Sequence, residues 1–509
     1  MTPETKYKGS IKLSAIGDAL GWITEFEQNT QSLVGKYGTE RIDRFYSWRK
    51  NVGGRFYGFV DTVNAGSYSD DTQLLLSVAR SIKADGTVDN EYFSKIELAN
   101  WLDYARGAGR TVKTAADKIQ RKSSTWYNNF YSYKVNDIFF DYRDSGANGA
   151  AMRVLPIALA NLGDFEKIKE EIFCNSIITH GHPRAIIGAI LYGYAVNQII
   201  TIKPEYFSWE NYIIQIGTEL SHKLDVDFIQ KKEIKGWIEA WDSSGKVFKE
   251  VYNTTIVETQ DLLRTIYVSL KQNCTVRETL QKIGCFASAT KGSGIATVIA
   301  GIYLTAKFHS KPLEAIIESV NSIGADTDSI ASFVGGLIGA LHGQSIIPNK
   351  WKNVQDIDYL DSIAERLLAI SEDRYKKEEC DLSSMKLKRL NKPEIDNFIT
   401  GEEVEFIPLG KGKIISIDRQ KTITKGKYNL LLEVVFEKGQ TILLSKLFNG
   451  EIPDSNTSRT EEKLQKLLDI AGQKLNHRAF NSFNSFINYR QGLNDIEIDM
   501  LMAILMNEE

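Results

Sequence analysis

The stretch Gly324-Ala325-Asp326-Thr327-Asp328-Ser329-Ile330-Ala331 places two carboxylates and two hydroxyls within four residues. Apolar residues recur at helical spacing on both sides of it, at Ile316, Ile317, Val320 and Ile323 and again at Val334, Leu337, Ile338 and Leu341. The acidic cluster therefore lies at a break between two buried helices. Oxygen ligands packed this closely suit a hard divalent cation, although Asp and Ser also cap helix N-termini.

A second cluster, Ser69-Asp70-Asp71-Thr72, repeats this composition much earlier in the chain. It too stands directly before an apolar-periodic helix, marked by Leu74, Leu75, Val78, Ala79 and Ile82. Two such loops folded against each other would supply four carboxylates, which is enough for two divalent ions. The repetition favours a metal site over capping alone.

Composition restricts the range of partners. The 509 residues predict two or three domains, and 42% hydrophobic with 25% charged residues is typical of a soluble globular protein. Lys and Arg number 62 against 65 Asp and Glu, so the balance indicates neither nucleic-acid nor membrane binding. Scattered cysteines and the absence of a signal-like or membrane-spanning apolar segment predict a cytoplasmic protein with reduced thiols.

Three further segments carry candidate functional groups. The loop Gly146–Arg153 precedes an apolar helix, and its backbone N–H groups could bind a phosphate or serve only as a turn and cap. The pair His180 and His182 lacks a Cys or third His at zinc spacing, which favours neutral hydrogen bonding or a structural role. Glu25 ends the small-residue run that begins at Gly17, and a solvated loop acid is the alternative there.

The hydrophobic period changes along the chain. Helical patterns continue to about residue 375, a charged and irregular segment over 376–399 predicts a linker, and short β-type runs follow. Residues 400–509 therefore form a predicted accessory module, β-rich and then helical, with no catalytic constellation of its own.

Taken together, these motifs resemble one family. The run from Gly17 to Glu25, the Ser69 cluster, the Gly146–Arg153 loop and the Gly324 stretch are similar, in order and separation, to the ADP-ribosylglycohydrolases related to the dinitrogenase reductase-activating enzyme. The resemblance covers about residues 8–370. It implies an all-α, orthogonal helical domain over 1–375, followed by the small α+β module.

The resemblance also implies a site with two Mg²⁺ or Mn²⁺ ions. Its implied metal ligands are oxygen donors from both acidic clusters, namely Ser69, Asp70, Asp71, Asp326, Asp328 and Ser329. The four aspartates together with Glu25, on a mobile segment, form the implied catalytic set. The implied substrate-binding residues are Gly146, Asn148, Gly149, Ala150 and Met152 around the diphosphate, with His182 near the distal part of ADP-ribose.

The implied activity is hydrolysis at C1″ of the distal ribose, where ions that chelate ribose hydroxyls can fix the sugar and orient water. We expect a metal-dependent hydrolase that releases ADP-ribose from a modified macromolecule, with ADP-ribosyl-arginine on protein as the first candidate. ADP-ribosyl-serine, ADP-ribose polymers and small ADP-ribosyl metabolites are alternative substrates. A non-catalytic ADP-ribose-binding or structural protein is the alternative class. The accessory module could dock on an ADP-ribosyltransferase or its target, as in an immunity protein.

Overall fold

A computed structural model describes the chain over residues 1–52, 58–135, 137–376, 398–452, 457–475, 479–480, 482–483, 487, 493 and 495–506. The helical domain predicted from the sequence is confirmed, as are the strands that follow it. Most of the predicted linker lies outside the described residues.

The α-helices follow one another through most of the chain. They are α1 Pro3–Thr24, α2 Thr30–Tyr37, α3 Asp70–Ser81, α4 Asn90–Tyr92, α5 Ala99–Trp101, α6 Arg110–Ile119, α7 Leu155–Ala160, α8 Phe165–Ser176, α9 Pro183–Ile199, α10 Trp209–Lys223, α11 Lys232–Asp242, α12 Phe248–Lys271, α13 Val276–Lys282, α14 Gly294–Lys307, α15 Pro312–Val320, α16 Thr327–His342, α17 Ile357–Ser371, α18 Thr457–Lys474 and α19 Asp495–Met506. A π-helix, Phe93–Leu98, joins α4 to α5.

The strands form two hairpins and one larger sheet. β1 Trp48–Val52 pairs with β2 Phe59–Val63, and β3 Ser132–Val135 pairs antiparallel with β4 Ile138–Asp141. The larger sheet has the order β5-β6-β7-β8, with bounds Glu403–Phe406, Gly410–Lys421, Lys427–Phe436 and Thr441–Asn449. In it, Glu403 lies opposite Lys413 across an antiparallel pair.

The closest packing in the fold joins α1 to α16. A Cβ built on Gly17 would lie 2.1 Å from the carbonyl oxygen of Ala331, and one on Gly335 would lie 1.9 Å from that of Leu13. Only glycine permits backbones to approach so closely, and this offsets the cost of about 1 kcal/mol that each helical glycine carries. Because the two helices run antiparallel, the end of α1 lies beside the start of α16.

Contacts divide the described chain into two compact units. The first comprises Met1–Val52, Val60–Asp418 and Leu431–Lys446, and the second comprises Gly53–Phe59, Arg419–Leu430 and Leu447–Glu509. Within the first unit, the Asp356 carboxylate accepts hydrogen bonds from the Tyr68 hydroxyl and from the Thr441 backbone N–H. The domain boundaries predicted from the sequence remain predictions. Among the described helices, none has the length and apolar character that crossing a membrane requires.

Candidate metal-binding active site

The end of α1 and the start of α16 bring three acids together. Carboxylate oxygens of Glu25, Asp326 and Asp328 lie within 4.8 Å of one another. The junction is fixed by hydroxyl groups, since Thr327 Oγ1 donates to the Gly21 carbonyl at 2.9 Å and Thr24 Oγ1 donates to the Val320 carbonyl at 2.5 Å. The helix pairing therefore holds a group of like charges in place.

The second acidic loop reaches the same place from α3. Asp18, which lies nearly two turns before the end of α1, accepts hydrogen bonds from the N–H groups of Ser69 and Thr72 and from the Thr72 hydroxyl at 2.6 Å. This buried carboxylate fixes the N-terminus of α3 against α1. Asp70 and Asp71, in the first turn of α3, consequently lie close enough to Asp328 for its charge to affect both.

Burial, followed by the charge of Asp328, raises the pKa of Asp70 to about 8 and that of Asp18 to about 6. Burial and neighbouring carboxylates also raise the pKa values of Glu25, Asp71 and Asp328, and burial raises that of Asp326. Like charges in a desolvated site oppose one another's ionisation. Without a counter-charge, part of this cluster keeps its protons at neutral pH.

The donor set fits divalent cations. Glu25 Oε2 and Asp71 Oδ2 are buried and have no hydrogen-bond partner among the described residues. Unpaired buried carboxylate oxygens are costly unless a proton or a cation compensates them. All the donors are oxygens, which Mg²⁺ and Mn²⁺ prefer.

A glycine-rich loop borders this acidic group. Asn148 Nδ2 donates to Asp326 Oδ2 at 3.2 Å, and the Asn148 N–H donates to the Gly292 carbonyl at 2.9 Å. The Gly294 N–H in turn donates to the Gly146 carbonyl at 3.0 Å, so the loop is paired with the segment before α14. Gly146 is partly exposed, and the Asn148 side chain extends from the loop to the acids.

Arg153 stabilises the loop from the protein interior. Its guanidinium is fully buried and donates to the Gly149 carbonyl, to Thr179 Oγ1, and to both the side chain and the carbonyl of Asn175. Burial lowers the pKa of Arg153 to about 9. The loop is therefore held by a hydrogen-bonded cation beneath it.

The two histidines have different positions. His182 is the N-cap of α9, where its Nδ1 accepts the Arg184 N–H at 3.0 Å, and its ring lies beside Gly146. His180 is fully buried beside Gly149, with Nδ1 bonded to Thr179 Oγ1 and Nε2 lacking a partner among the described residues. Burial lowers the pKa of His180 to about 3 and that of His182 to about 4, so both are neutral.

The remaining predicted site residues differ in how much of each side chain is available to an ion or a ligand. Ser69 Oγ accepts the Asp71 N–H at 3.3 Å, so it serves as a helix cap, while Ser329 is buried in the first turn of α16. Ala150 and Met152 are buried, at 0% and 4% exposure, which leaves little of either side chain for a ligand.

The sequence predicts no role for Asp18 at the site and no role for His180 apart from that of its neighbour His182. Asp18 was visible only as part of a small-residue run, and its function as an anchor depends on the α1–α3 contact. His180 was noted but not separated from its neighbour, because the sequence does not show which of the two ring systems lies against Gly149.

Fold and site together define the class, a mainly helical protein with a buried, all-oxygen acidic group beside a glycine-rich loop. The chain belongs to the ADP-ribosylglycohydrolase family, whose family model matches residues 1–377. This is a family of glycosyl hydrolases, and the resemblance found in the motifs is confirmed.

Curated relatives agree with this assignment. The chain is 29% identical to the ADP-ribosyl-dinitrogen reductase glycohydrolase of Rhodospirillum rubrum over 187 residues, which cover 36% of this chain and 55% of that protein. It is 24% identical to ADP-ribosylhydrolase ARH3 of Xenopus tropicalis, over 68% of this chain and 90% of the relative. For ADP-ribosylarginine hydrolase Tri1 of Serratia proteamaculans the identity is 21%, over 71% and 78%.

Among solved structures, an ADP-ribosylglycohydrolase-related protein complex aligns with a TM-score of 0.43 and 15% identity. The alignment covers 72% of this chain and 99% of that one.

Proposed function

We propose that this protein is a metal-dependent hydrolase that cleaves the bond at C1″ of ADP-ribose and releases ADP-ribose from a modified protein. The observation that carries the proposal is the hydrogen bond from Asn148 to Asp326, which joins the phosphate-type loop directly to the acidic group. A diphosphate and a ribose attached to it would thus meet both parts of the site at once.

The residues that would hold two Mg²⁺ or Mn²⁺ ions are oxygen donors from both acidic loops, namely Ser69, Asp70, Asp71, Asp326, Asp328 and Ser329. Such ions supply Lewis-acid chemistry, which fixes ribose hydroxyls and lowers the pKa of water. The Ser69 hydroxyl has two lone pairs, and one of them accepts the Asp71 N–H in the helix cap. Ser69 would therefore bind an ion with the other lone pair.

Side chains of the protein would orient the diphosphate and accept the proton. Asn148 would orient the diphosphate with the second N–H of its side-chain amide. Gly146 shapes this loop, since its N–H donates to the Asp144 carbonyl and its carbonyl accepts the Gly294 N–H, and neutral His182 borders it. Lys291 lies close enough to Asp326 for its charge to act on that carboxylate, so it also provides a cation near the diphosphate. Glu25, whose Oε2 has no partner among the described residues, would accept a proton once bound cations keep the cluster ionised.

ADP-ribosyl-arginine is the linkage predicted first from the sequence, and ADP-ribosyl-serine, ADP-ribose polymers and small ADP-ribosyl metabolites are the other substrates. This chemistry requires an ADP-ribosylated protein as the partner. Docking of residues 400–509 on an ADP-ribosyltransferase or its target stays a prediction from the sequence.

Incubation with mono-ADP-ribosylated arginine and serine peptides tests the reaction. We expect free ADP-ribose in the presence of Mg²⁺, measured by chromatography, and none after EDTA treatment. Release that EDTA leaves unchanged would exclude metal dependence. Binding of ADP-ribose with release from neither peptide would instead support the non-catalytic class.

A further inference from the structure

The hairpin that begins with β1 places a lysine at the edge of the acidic site. Alternate residues of the strand differ in exposure, so Trp48 and Lys50 are half-buried while Arg49 and Asn51 are exposed. Lys50 Nζ lies 4.0 Å from the centroid of the Trp22 ring, and Trp48 meets the same ring edge-on at 5.3 Å. The cation is thus held in place by aromatic contacts.

The Trp22 ring lies close both to this lysine and to Asp70. A Cβ built on Gly107 would lie 3.4 Å from the ring and 2.8 Å from Asp70 Oδ1, so the ring and that carboxylate border the same backbone. Burial lowers the pKa of Lys50 to about 8, while the charges of Asp70 and Glu25 act in the opposite direction. The ammonium is therefore still largely protonated at neutral pH.

The other cation near Trp22 is already neutralised. Arg106 lies 5.8 Å from the ring centroid and donates to both oxygens of Asp61, at 2.9 and 3.1 Å. In the described part of the chain, by contrast, no carboxylate lies within salt-bridge distance of Lys50. Among the described residues, Lys50 is thus the cation held against Trp22 without a carboxylate partner, whereas Lys113, whose charge also reaches Asp70, is exposed on α6.

The direction of the substrate follows from the phosphate-type loop. Asn148 contacts Asp326, so the diphosphate end of ADP-ribose lies on the Asp326 side of the acids. In the proposed complex, the group bonded to C1″ extends away from the diphosphate, toward the side where Asp70, Trp22 and Lys50 lie. An acceptor on that side lies beside an ammonium held in place.

We propose that Lys50 is a specificity-determining residue that disfavours a cationic acceptor, so that the protein prefers ADP-ribose linked to a hydroxyl oxygen over ADP-ribose linked to a guanidinium. The inference rests on the proposed hydrolase function and runs against the arginine linkage predicted from the sequence. For the preferred substrate, the bond between C1″ and the acceptor oxygen breaks, water supplies a hydroxyl to C1″, and its second proton passes to the acceptor oxygen.

The charge effect is large enough to measure. Two like charges about 6 Å apart, at an effective dielectric constant of about 20, change a binding constant by about a hundredfold. Screening and side-chain movement reduce this value. We therefore expect a change in linkage preference of at least about tenfold.

The experiment compares kcat/KM for two peptides of the same sequence, one ADP-ribosylated on serine and one on arginine, with Mg²⁺ present. The wild-type protein should favour the serine linkage, and Lys50→Gln should shift the ratio toward arginine by at least about tenfold. Arg49→Gln is the matched control, since it removes one positive charge from the exposed face of the same strand and should leave the ratio unchanged. Lys50→Arg keeps the charge and should keep the preference.

Each result has a definite meaning. A wild-type preference for arginine, or a ratio that Lys50→Gln leaves unchanged while both rates fall together, would overturn the inference and assign Lys50 a purely structural role. Release of ADP-ribose from neither peptide by the wild-type protein would instead overturn the proposed function. Should Lys50→Gln fail to fold by circular dichroism, the Lys50→Met variant and the salt dependence of the wild-type ratio provide the same test, because screening weakens a charge effect and leaves packing unchanged.

Discussion

The two acidic loops have nearly the same composition and use it differently. At the start of α3, Ser69 caps the helix and Asp18 accepts further N–H groups of the same turn, so side chains satisfy the helix end. At the start of α16, the Asp326 side chain caps no backbone N–H of that helix, and it accepts a hydrogen bond from the Asn148 side chain instead. The second loop therefore holds its carboxylate for a contact outside its own helix.

Replacing Asp326 with alanine should produce the largest effect. The variant loses a proposed metal ligand and the partner of Asn148, and interactions worth several kcal/mol at the reacting sugar correspond to a loss of about a thousandfold in kcat/KM. Release of ADP-ribose from a modified peptide measures this. The helical fold should persist, because the lost side chain neither caps α16 nor fills its core.

Glu40→Ala provides the control for this variant, since Glu40 is an exposed acid outside the site. It should retain full activity. An Asp326→Ala protein with wild-type turnover would remove Asp326 from the site, and one without helical circular dichroism would show that the α16 loop also depends on this side chain for folding.

The pH dependence of stability should be the next largest effect. The pKa of Asp70 is raised to about 8 in the folded protein, so between about pH 4 and pH 8 the folded state binds more protons than the unfolded state. The stability of the metal-free protein should therefore fall as the pH rises through this window. Mg²⁺ compensates the ionised acids, and at a hundred times its Kd it would add about 2.7 kcal/mol to the free energy of unfolding.

Thermal unfolding with and without Mg²⁺ measures this difference, and the gain in Tm should be larger near pH 8 than near pH 5. Asp70→Asn removes a titrating group and should flatten the pH dependence of the metal-free protein. An equal gain in Tm at both pH values would contradict metal binding by these acids.

Sequence alone predicted those parts of the fold and site that depend on local pattern. Helical spacing around Asp326 and around Asp70 identified two buried helices, and the change to alternating spacing after Val404 predicted the sheet. The repeated composition of the two acidic loops related them to each other, and the family resemblance supported that pairing. Both rely on short runs of sequence in which the residues that act together are also adjacent in the chain.

Groups whose role depends on a distant contact could not be predicted in this way. Asp18 acts on α3 across a helix contact, and Lys50 reaches Trp22 from a hairpin with weak sequence periodicity. The need for glycine at position 335 follows only from the close approach of the Leu13 backbone to it. Long-range packing, which no local pattern encodes, decides each of these cases.

The smallest effect should come from Ser69→Ala, and it distinguishes the two loops most directly. Loss of an N-cap hydroxyl costs about 1 kcal/mol of stability, measurable by urea denaturation of the metal-free protein. Ser329→Ala is the matched change in the other loop and should cost less, because Ser329 lies within the first turn of α16 and not at its cap. Equal losses in the two variants would mean that capping does not separate the loops. If Ser69→Thr keeps both the stability and the Mg²⁺ affinity that Ser69→Ala loses, the same hydroxyl serves the helix and the ion.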